Sequence, residues 1–156
     1  MTLSHRLQED LTQAIRDRDE IRRDTLRMAI AAAYNAQKAA GRELTDDEVV
    51  AVLAREVKTR RESIEAYAAA GRDDAAQREQ AEIDVVSKYL PAQLGEEELL
   101  SMVRETIDEV GASSPRDMGR VMAVLAPKTR GRADGKQVSA TVVRELATRD
   151  LATHGH

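Results

Sequence analysis

The residues of this chain best suited to chemistry lie in a basic segment near its end, from Ser114 to Lys136. It contains six cationic residues and only two acidic ones, Asp117 and Asp134, which gives a local net charge of +4 in a chain of net charge −4. Such a local reversal of sign favours an anionic partner. We therefore predict phosphate contacts from the cations and from two of the three glycines of the segment. These residues are Arg116, Arg120, Lys128, Arg130, Gly131, Arg132, Gly135 and Lys136.

Part of this segment, Gly131–Lys136, has some features of a nucleotide-binding loop. A Walker A motif needs four residues between its glycines and a Ser or Thr after the lysine. Here three residues separate the glycines, and Gln137 follows the lysine. The pattern therefore does not predict a nucleotide site. It leaves open looser anion binding at the start of the next helix, with Asp134 as its N-cap, or a plain solvated turn.

A second, weaker candidate is a basic cluster in the first half of the chain, formed by Lys58, Arg61 and Arg72. Charge runs on helices are usually solvated faces paired with acids one turn away. Arg60 and Glu79 differ because each interrupts the apolar stripe of its helix, so each is predicted to be a structural polar anchor. Their distances from the turn at Gly71 differ, so no direct ion pair between them is expected.

Signals of catalysis, cofactors or metals are weak. The three histidines, His5, His154 and His156, lie near the chain ends, and there is no cysteine. A metal at His154–His156 is less expected than a frayed tail. The acid pairs Asp46–Asp47 and Asp73–Asp74 stand at predicted helix starts, where capping explains them. We predict no catalytic residue, no cofactor and no metal site.

The composition of the 156 residues favours closely packed helices. The chain is 42% hydrophobic and 33% charged, with no Phe, Trp or Cys and only three Tyr. The core must therefore be built from aliphatic residues and alanine, and unpaired bases find little to stack on. No apolar run approaches a membrane span, and no signal-peptide core follows Met1. From this we expect a cytoplasmic protein without a membrane partner.

Apolar residues at three- and four-residue spacing predict seven helices and no strands, an all-α fold. About four helices form N-terminal helical hairpins in a domain at 1–91, and a small C-terminal three-helix unit follows at 92–150. Residues 151–156 are predicted to be a frayed tail. Thr45 and Glu48 predict a capping box, and Pro127 is predicted to end the sixth helix. The first two buried stripes are predicted to contain Leu3, Leu7, Leu11, Ile15, Ile21, Leu26, Ile30, Ala33 and Tyr34.

Three segments make the chain resemble the YqeY family, which shares its fold with the tail region of the B subunit of the tRNA-dependent amidotransferase. They are Lys58–Ile64 with Ala70–Arg72, then Tyr89–Leu94, then Asp117–Met122 with Lys128–Lys136. The resemblance covers residues 3 to 147 and implies an all-α protein. It also implies contact with tRNA, because the amidotransferase tail is associated with the tRNA while catalysis belongs to other domains.

Together, the residues and the resemblance predict a non-catalytic tRNA- or RNA-interaction module whose basic loop contacts phosphates. The first alternative is a protein-interaction adaptor of the translation or tRNA-amidation machinery. The second is the family label, carbon–nitrogen ligase activity with glutamine as amido-N-donor, for which no nucleophile or ATP site is evident. The sequence makes no prediction of oligomeric state.

Overall fold

The computed structural model describes residues 1–154, and over that range it is all-α, without a strand, which confirms the predicted class. It divides into two compact units, Met1–Pro91 and the residues from Ala92 onward. A short 3-10 turn, Pro115–Asp117, precedes the sixth helix. The helices are α1 (Leu3–Arg16), α2 (Glu20–Ala40), α3 (Asp46–Ala69), α4 (Asp73–Ser87), α5 (Glu96–Val110), α6 (Met118–Thr129) and α7 (Gly135–His154).

The first unit packs α3 against α4 and α1 against α2, and α2 also contacts α3 and α4. Its core is aliphatic, as the composition requires, with Tyr89 as its one buried aromatic side chain among the described residues. Ala29 and Ala33 are buried on α2, where small side chains let the neighbouring helices approach closely. The large core residues are Leu7, Leu26, Val49, Leu53, Val57, Ile83 and Val86.

The predicted stripes of α1 and α2 are wrong at Ile15, Ile21 and Tyr34, which are 47%, 38% and 59% exposed. A strict four-residue spacing drifts around a helix of 3.6 residues per turn, so Ile15 lies about 120° from Leu3. Ala14, about 20° from Leu3, takes the buried position instead. The spacing of large apolar residues therefore did not predict that a small residue, Ala14, is buried at this position.

The start of α3 has the predicted capping box. The Thr45 side chain accepts a hydrogen bond from the Glu48 amide at 3.2 Å, and the Glu48 carboxylate accepts from the Thr45 amide at 3.0 Å. Arg42 adds two hydrogen bonds to the same carboxylate, both 2.8 Å long. These bonds, those from Arg42 above all, lower the pKa of Glu48 to about 2.

Arg60 is buried at 6% exposure, as expected of a structural anchor, but the expectation that it does not pair with Glu79 is wrong. Its Nη1 lies 3.5 Å from the Glu79 carboxylate and also donates to Glu82. Glu82 stands eleven residues after Gly71, as Arg60 stands eleven before it, so these two match in register. Glu79 is three residues out of register, about 4.5 Å of helix, which an arginine side chain can span.

The second unit is a bundle of α5, α6 and α7 around an aliphatic core. Helix α6 continues through Pro127 to Thr129, so the prediction that Pro127 ends it is wrong. A proline this close to the end removes one backbone donor, and the Arg130 amide still closes the last turn on Ala126. Helix α7 runs to His154, although a frayed tail was predicted from residue 151, and residues 155–156 lie outside the described part.

Candidate functional site

The basic loop, defined here as residues 130–134, is shorter than the sequence indicated. Lys128 lies on the last turn of α6, whereas Gly135 and Lys136 begin α7. The loop is closed by hydrogen bonds to the Thr129 carbonyl oxygen, from the Arg132 amide at 2.9 Å and the Ala133 amide at 3.1 Å. Lys128, Arg130, Arg132 and Lys136 therefore stand on two helix ends and the tight turn between them, whereas Arg116 and Arg120 lie at the opposite end of α6.

The basic loop is also bonded to the residues just after Pro91. The Gln93 side-chain amide donates to the Gly131 carbonyl oxygen at 2.7 Å, and the Leu94 amide donates to the Arg132 carbonyl oxygen at 2.9 Å. In return, Arg132 Nε donates to the Ala92 carbonyl oxygen at 3.0 Å. These bonds join two of the segments that carried the family resemblance, and the sequence analysis did not predict them.

Two backbone features complete the loop. Gly131 adopts a φ of +74°, a conformation that other residues rarely take, so a glycine is required there. Asp134 is the N-cap of α7, as predicted, because its carboxylate accepts a hydrogen bond from the Lys136 amide at 3.2 Å. The turn is therefore specified by its own residues as well as by residues 92–94.

Three of the predicted cations, Arg116, Arg130 and Lys136, are exposed, and their side chains form no ion pair or hydrogen bond within residues 1–154. Lys128 lies 3.8 Å from Glu109, but both side chains are about half exposed or more. Such surface pairs contribute little and exchange readily. These four side chains, which we call the basic surface, are therefore available to an anionic ligand.

Arg120 has a structural role that the sequence analysis missed. Its guanidinium donates to the Val110 carbonyl oxygen at 3.1 Å, at the end of α5, and to Asp117 at 3.2 Å. Asp117 also accepts from the amides of Ser113 and Ser114, and the Ser113 bond is the main reason that its pKa is lowered. Arg120 thus ties α5 to the start of α6.

The acidic side of the unit marks where the basic surface stops. Arg132 lines a shallow groove along α5 together with Leu94, Ser101, Met102 and three glutamates, Glu97, Glu98 and Glu105. A phosphate entering this groove would meet three carboxylates. Arg132 therefore stands at the edge of the basic surface rather than at its centre.

The second predicted cluster lies on the first unit. Arg72 is exposed, with its guanidinium 5.3 Å from the centre of the Tyr67 ring. Arg61 is exposed on α3, and Lys58 on the same helix is half-buried with a partner. Arg61 and Arg72 are thus both exposed, and Arg72 also contacts the Tyr67 ring.

The described residues contain neither a cluster of metal ligands nor a helix that could span a membrane. Among residues 1–154, no three carboxylate or imidazole side chains converge in a way that could hold a metal ion. None of the described helices is both long enough and apolar enough to cross a bilayer.

Known proteins with similar sequences cover most of the chain. A family model described as Yqey-like protein matches residues 4–146. The chain is 33% identical over 147 residues to the protein named Altered inheritance of mitochondria protein 41, mitochondrial, of Pyrenophora tritici-repentis, covering 90% of this chain and 78% of the relative. It is 26% identical over 151 residues to the protein of the same name from Lachancea thermotolerans, covering 92% and 80%.

The names of these relatives correct one expectation. Both are named as mitochondrial proteins, which contradicts the predicted cytoplasmic location. That prediction was wrong because it rested on the absence of long apolar runs and of a signal-peptide core, and neither criterion distinguishes mitochondrial proteins from cytoplasmic ones, since mitochondrial targeting segments are amphipathic.

Proposed function

The chain belongs to the YqeY-like protein family, and on this premise we propose that it is a non-catalytic module that binds structured RNA, such as tRNA, through the basic surface of its second unit. The observation that carries the proposal is the set of exposed side chains of Arg116, Arg130 and Lys136, without partners among the described residues. Lys128 joins them, because its pair with Glu109 is exposed and weak.

Phosphates suit these cations better than other anions do. A surface that binds by charge gains affinity as each Lys or Arg neutralises a phosphate and releases counterions. Lys128, Arg130 and Lys136 stand at or beside one short turn, so they can contact neighbouring phosphates rather than a single small anion. Arg116 precedes the other end of α6, about 18 Å away along the helix, and would extend the contact to a further phosphate. The negative charge of the rest of the chain limits such binding to this surface.

The second unit contains no Phe, Trp or Tyr, which favours duplex or folded RNA over single strands as its ligand. All three tyrosines, Tyr34, Tyr67 and Tyr89, precede the second unit, and the sequence has no Phe or Trp. Unpaired bases are usually bound by stacking on aromatic rings, which this surface does not offer. Duplex or folded RNA is recognised through backbone and shape, which cations can do alone.

The test is a gel-shift titration with total tRNA, at 50 mM and 200 mM salt. The double variant Arg130→Glu/Lys136→Glu should weaken binding by more than tenfold and reduce the salt dependence by about 0.7–0.9 per lost contact. The matched control is Arg16→Glu/Arg27→Glu, which changes the net charge equally at two exposed arginines of the first unit. Absence of binding at low salt, or an equal loss in the control, would refute the proposal.

A second candidate function, a protein-interaction adaptor, is supported by α7. Val143 and Leu151, large apolar side chains of this helix, are 48% and 72% exposed and would contact the protein partner. If this candidate is correct, partners will be retained after nuclease treatment and lost in Val143→Glu/Leu151→Glu. Both candidates predict no turnover of glutamine or ATP by the isolated chain, which separates them from the carbon–nitrogen ligase alternative.

A further inference from the structure

We infer that residues 92–94 hold the basic loop in its binding conformation before RNA arrives, so that Gln93 and Arg132 are positioning residues and not phosphate contacts. The inference rests on the proposed function for its binding consequences. The holding of the loop itself can be tested without RNA.

The first support is the pattern of hydrogen bonds. Two donors from residues 93 and 94 meet consecutive carbonyl oxygens of the loop, at Gly131 and Arg132, and Arg132 Nε returns a bond to Ala92. The bonds span 38 to 40 residues of sequence, so they tie the turn to a different part of the chain. A turn held by donors in both directions has little freedom left to lose.

The second support is the exposed setting of these bonds. Gln93 is exposed, and its 2.7 Å bond to Gly131 lies at the surface. Leu94 and Ala133, which follow Gln93 and Gly131 in the two segments, pack against the core of the unit, and the Gln93 bond adds a polar contact that fixes the loop at the surface. Ordering a loop before binding removes an entropic cost that would otherwise weaken the complex.

The third support concerns the charge around Arg132. Its Nε is already used by Ala92, and the groove that it lines contains Glu97, Glu98 and Glu105. Arg130 and Lys136 have no such partners within the described residues. Neighbouring cations thus have different roles. Arg132 fixes the backbone of the loop, whereas Arg130 and Lys136 remain available to bind phosphates.

The test begins with limited trypsin digestion of the full chain without RNA, because trypsin cleaves after Arg130 and Arg132. The variant Gln93→Ala should raise the cleavage rate at these two sites severalfold, whereas Gln77→Ala, an exposed glutamine of the first unit, should not. Circular dichroism should show that both variants retain the helical content of the wild type, so that cleavage reports on the loop and not on global unfolding. An unchanged cleavage rate in Gln93→Ala would overturn the inference, whatever the protein binds.

The second measurement is the salt dependence of tRNA binding. Gln93→Ala should weaken binding by about tenfold, the worth of one hydrogen bond, while leaving the salt slope at the wild-type value. Arg132→Gln should likewise weaken binding at an unchanged slope, whereas Arg130→Gln should lower the slope by about 0.7–0.9. A slope reduced as much by Arg132→Gln as by Arg130→Gln would overturn the assignment of Arg132. If the wild-type chain binds no tRNA, the proposed function fails, and the digestion alone decides whether residues 92–94 hold the loop.

Discussion

The hydroxyl group of Tyr89 donates a hydrogen bond to the carboxylate of Asp10, joining positions 79 residues apart in the first unit. Tyr89 is 8% exposed, and the Arg6 guanidinium lies 4.8 Å from the centre of its ring. The chain just after α4 is therefore fastened to α1 by one side chain that is both packed and hydrogen-bonded. The family resemblance had included Tyr89 without indicating what it does.

Replacing Tyr89 by Phe should destabilise the protein by roughly 1.5–3 kcal/mol, the usual contribution of a hydrogen bond to a charged group. The ring and its packing remain, so the loss isolates the hydroxyl group. Urea unfolding measures the change. Tyr67→Phe is the matched control, since Tyr67 is half-buried beneath Arg72, and it should change the unfolding free energy by less than about 0.5 kcal/mol. Equal effects of the two substitutions would contradict the assignment.

The same contact predicts a dependence of stability on alkaline pH. Burial, followed by the hydrogen bond to Asp10 and its negative charge, raises the pKa of Tyr89 to about 12 from its ordinary value of 10.0. A group whose pKa is raised by folding contributes stability that is complete below pH 10 and is lost as the pH rises from 10 to 12. The unfolding free energy of the wild type should therefore fall towards that of Tyr89→Phe across this range, as urea titrations at successive pH values would show. A constant difference between the two proteins would argue against the raised pKa.

The buried guanidinium of Arg60 should be the most sensitive charge of the first unit. Arg60→Met keeps the volume but leaves Glu79 and Glu82 without their shared cation, and we expect a loss of about 3–5 kcal/mol. Arg78 is the control, since it also pairs with Glu82, at 3.6 Å, but is 63% exposed. Arg78→Met should cost less than about 1 kcal/mol. The double variant Arg60→Met/Glu82→Gln should recover part of the loss, and strict additivity would show that the pair is not coupled.

Thr25 offers a stabilising substitution. It is 1% exposed, and its hydroxyl oxygen has no hydrogen-bond partner among the described residues. Thr25→Val keeps the shape and removes the unsatisfied polar group, so the free energy of unfolding should rise by about 1 kcal/mol. Thr106→Val is the control, because Thr106 is equally buried but donates to the Met102 carbonyl oxygen at 2.8 Å. Thermal unfolding should show a gain for the first variant and none for the second.

Substitution of Gly135 is expected to change the stability of the fold and the affinity for tRNA in opposite directions. A Cβ atom there would meet nothing within 4 Å, and the residue does not need a positive φ, so alanine should stabilise the chain by about 0.4–1 kcal/mol. If a phosphate contacts the start of α7, as the sequence predicts for Gly135, then Gly135→Ala should weaken tRNA binding severalfold in the same gel-shift assay. Gly111→Ala, at a φ of +67°, should instead destabilise the chain and leave the affinity of the folded protein unchanged. Unaltered tRNA affinity in Gly135→Ala would mean that no phosphate lies close to this glycine.

The sequence was sufficient where the determinants are local. The capping box of Thr45 and Glu48 and the cap at Asp134 follow from residue types within a few positions of each other. Contacts that depend on how helices pack were missed, because register and side-chain reach are set by the assembled unit. The pairing of Arg60 with Glu82 is one example, and the bond from Gln93 to Gly131 is the other that matters for the candidate site.

The confinement of all three tyrosines to the first unit has a practical consequence for spectroscopy. The near-ultraviolet circular dichroism and intrinsic fluorescence of its tyrosines therefore arise from residues before Pro91, and no tyrosine or tryptophan of the second unit reports directly on the basic loop. A single tryptophan introduced into α6 or α7 would be the only indole of the protein, so its fluorescence would report on the second unit.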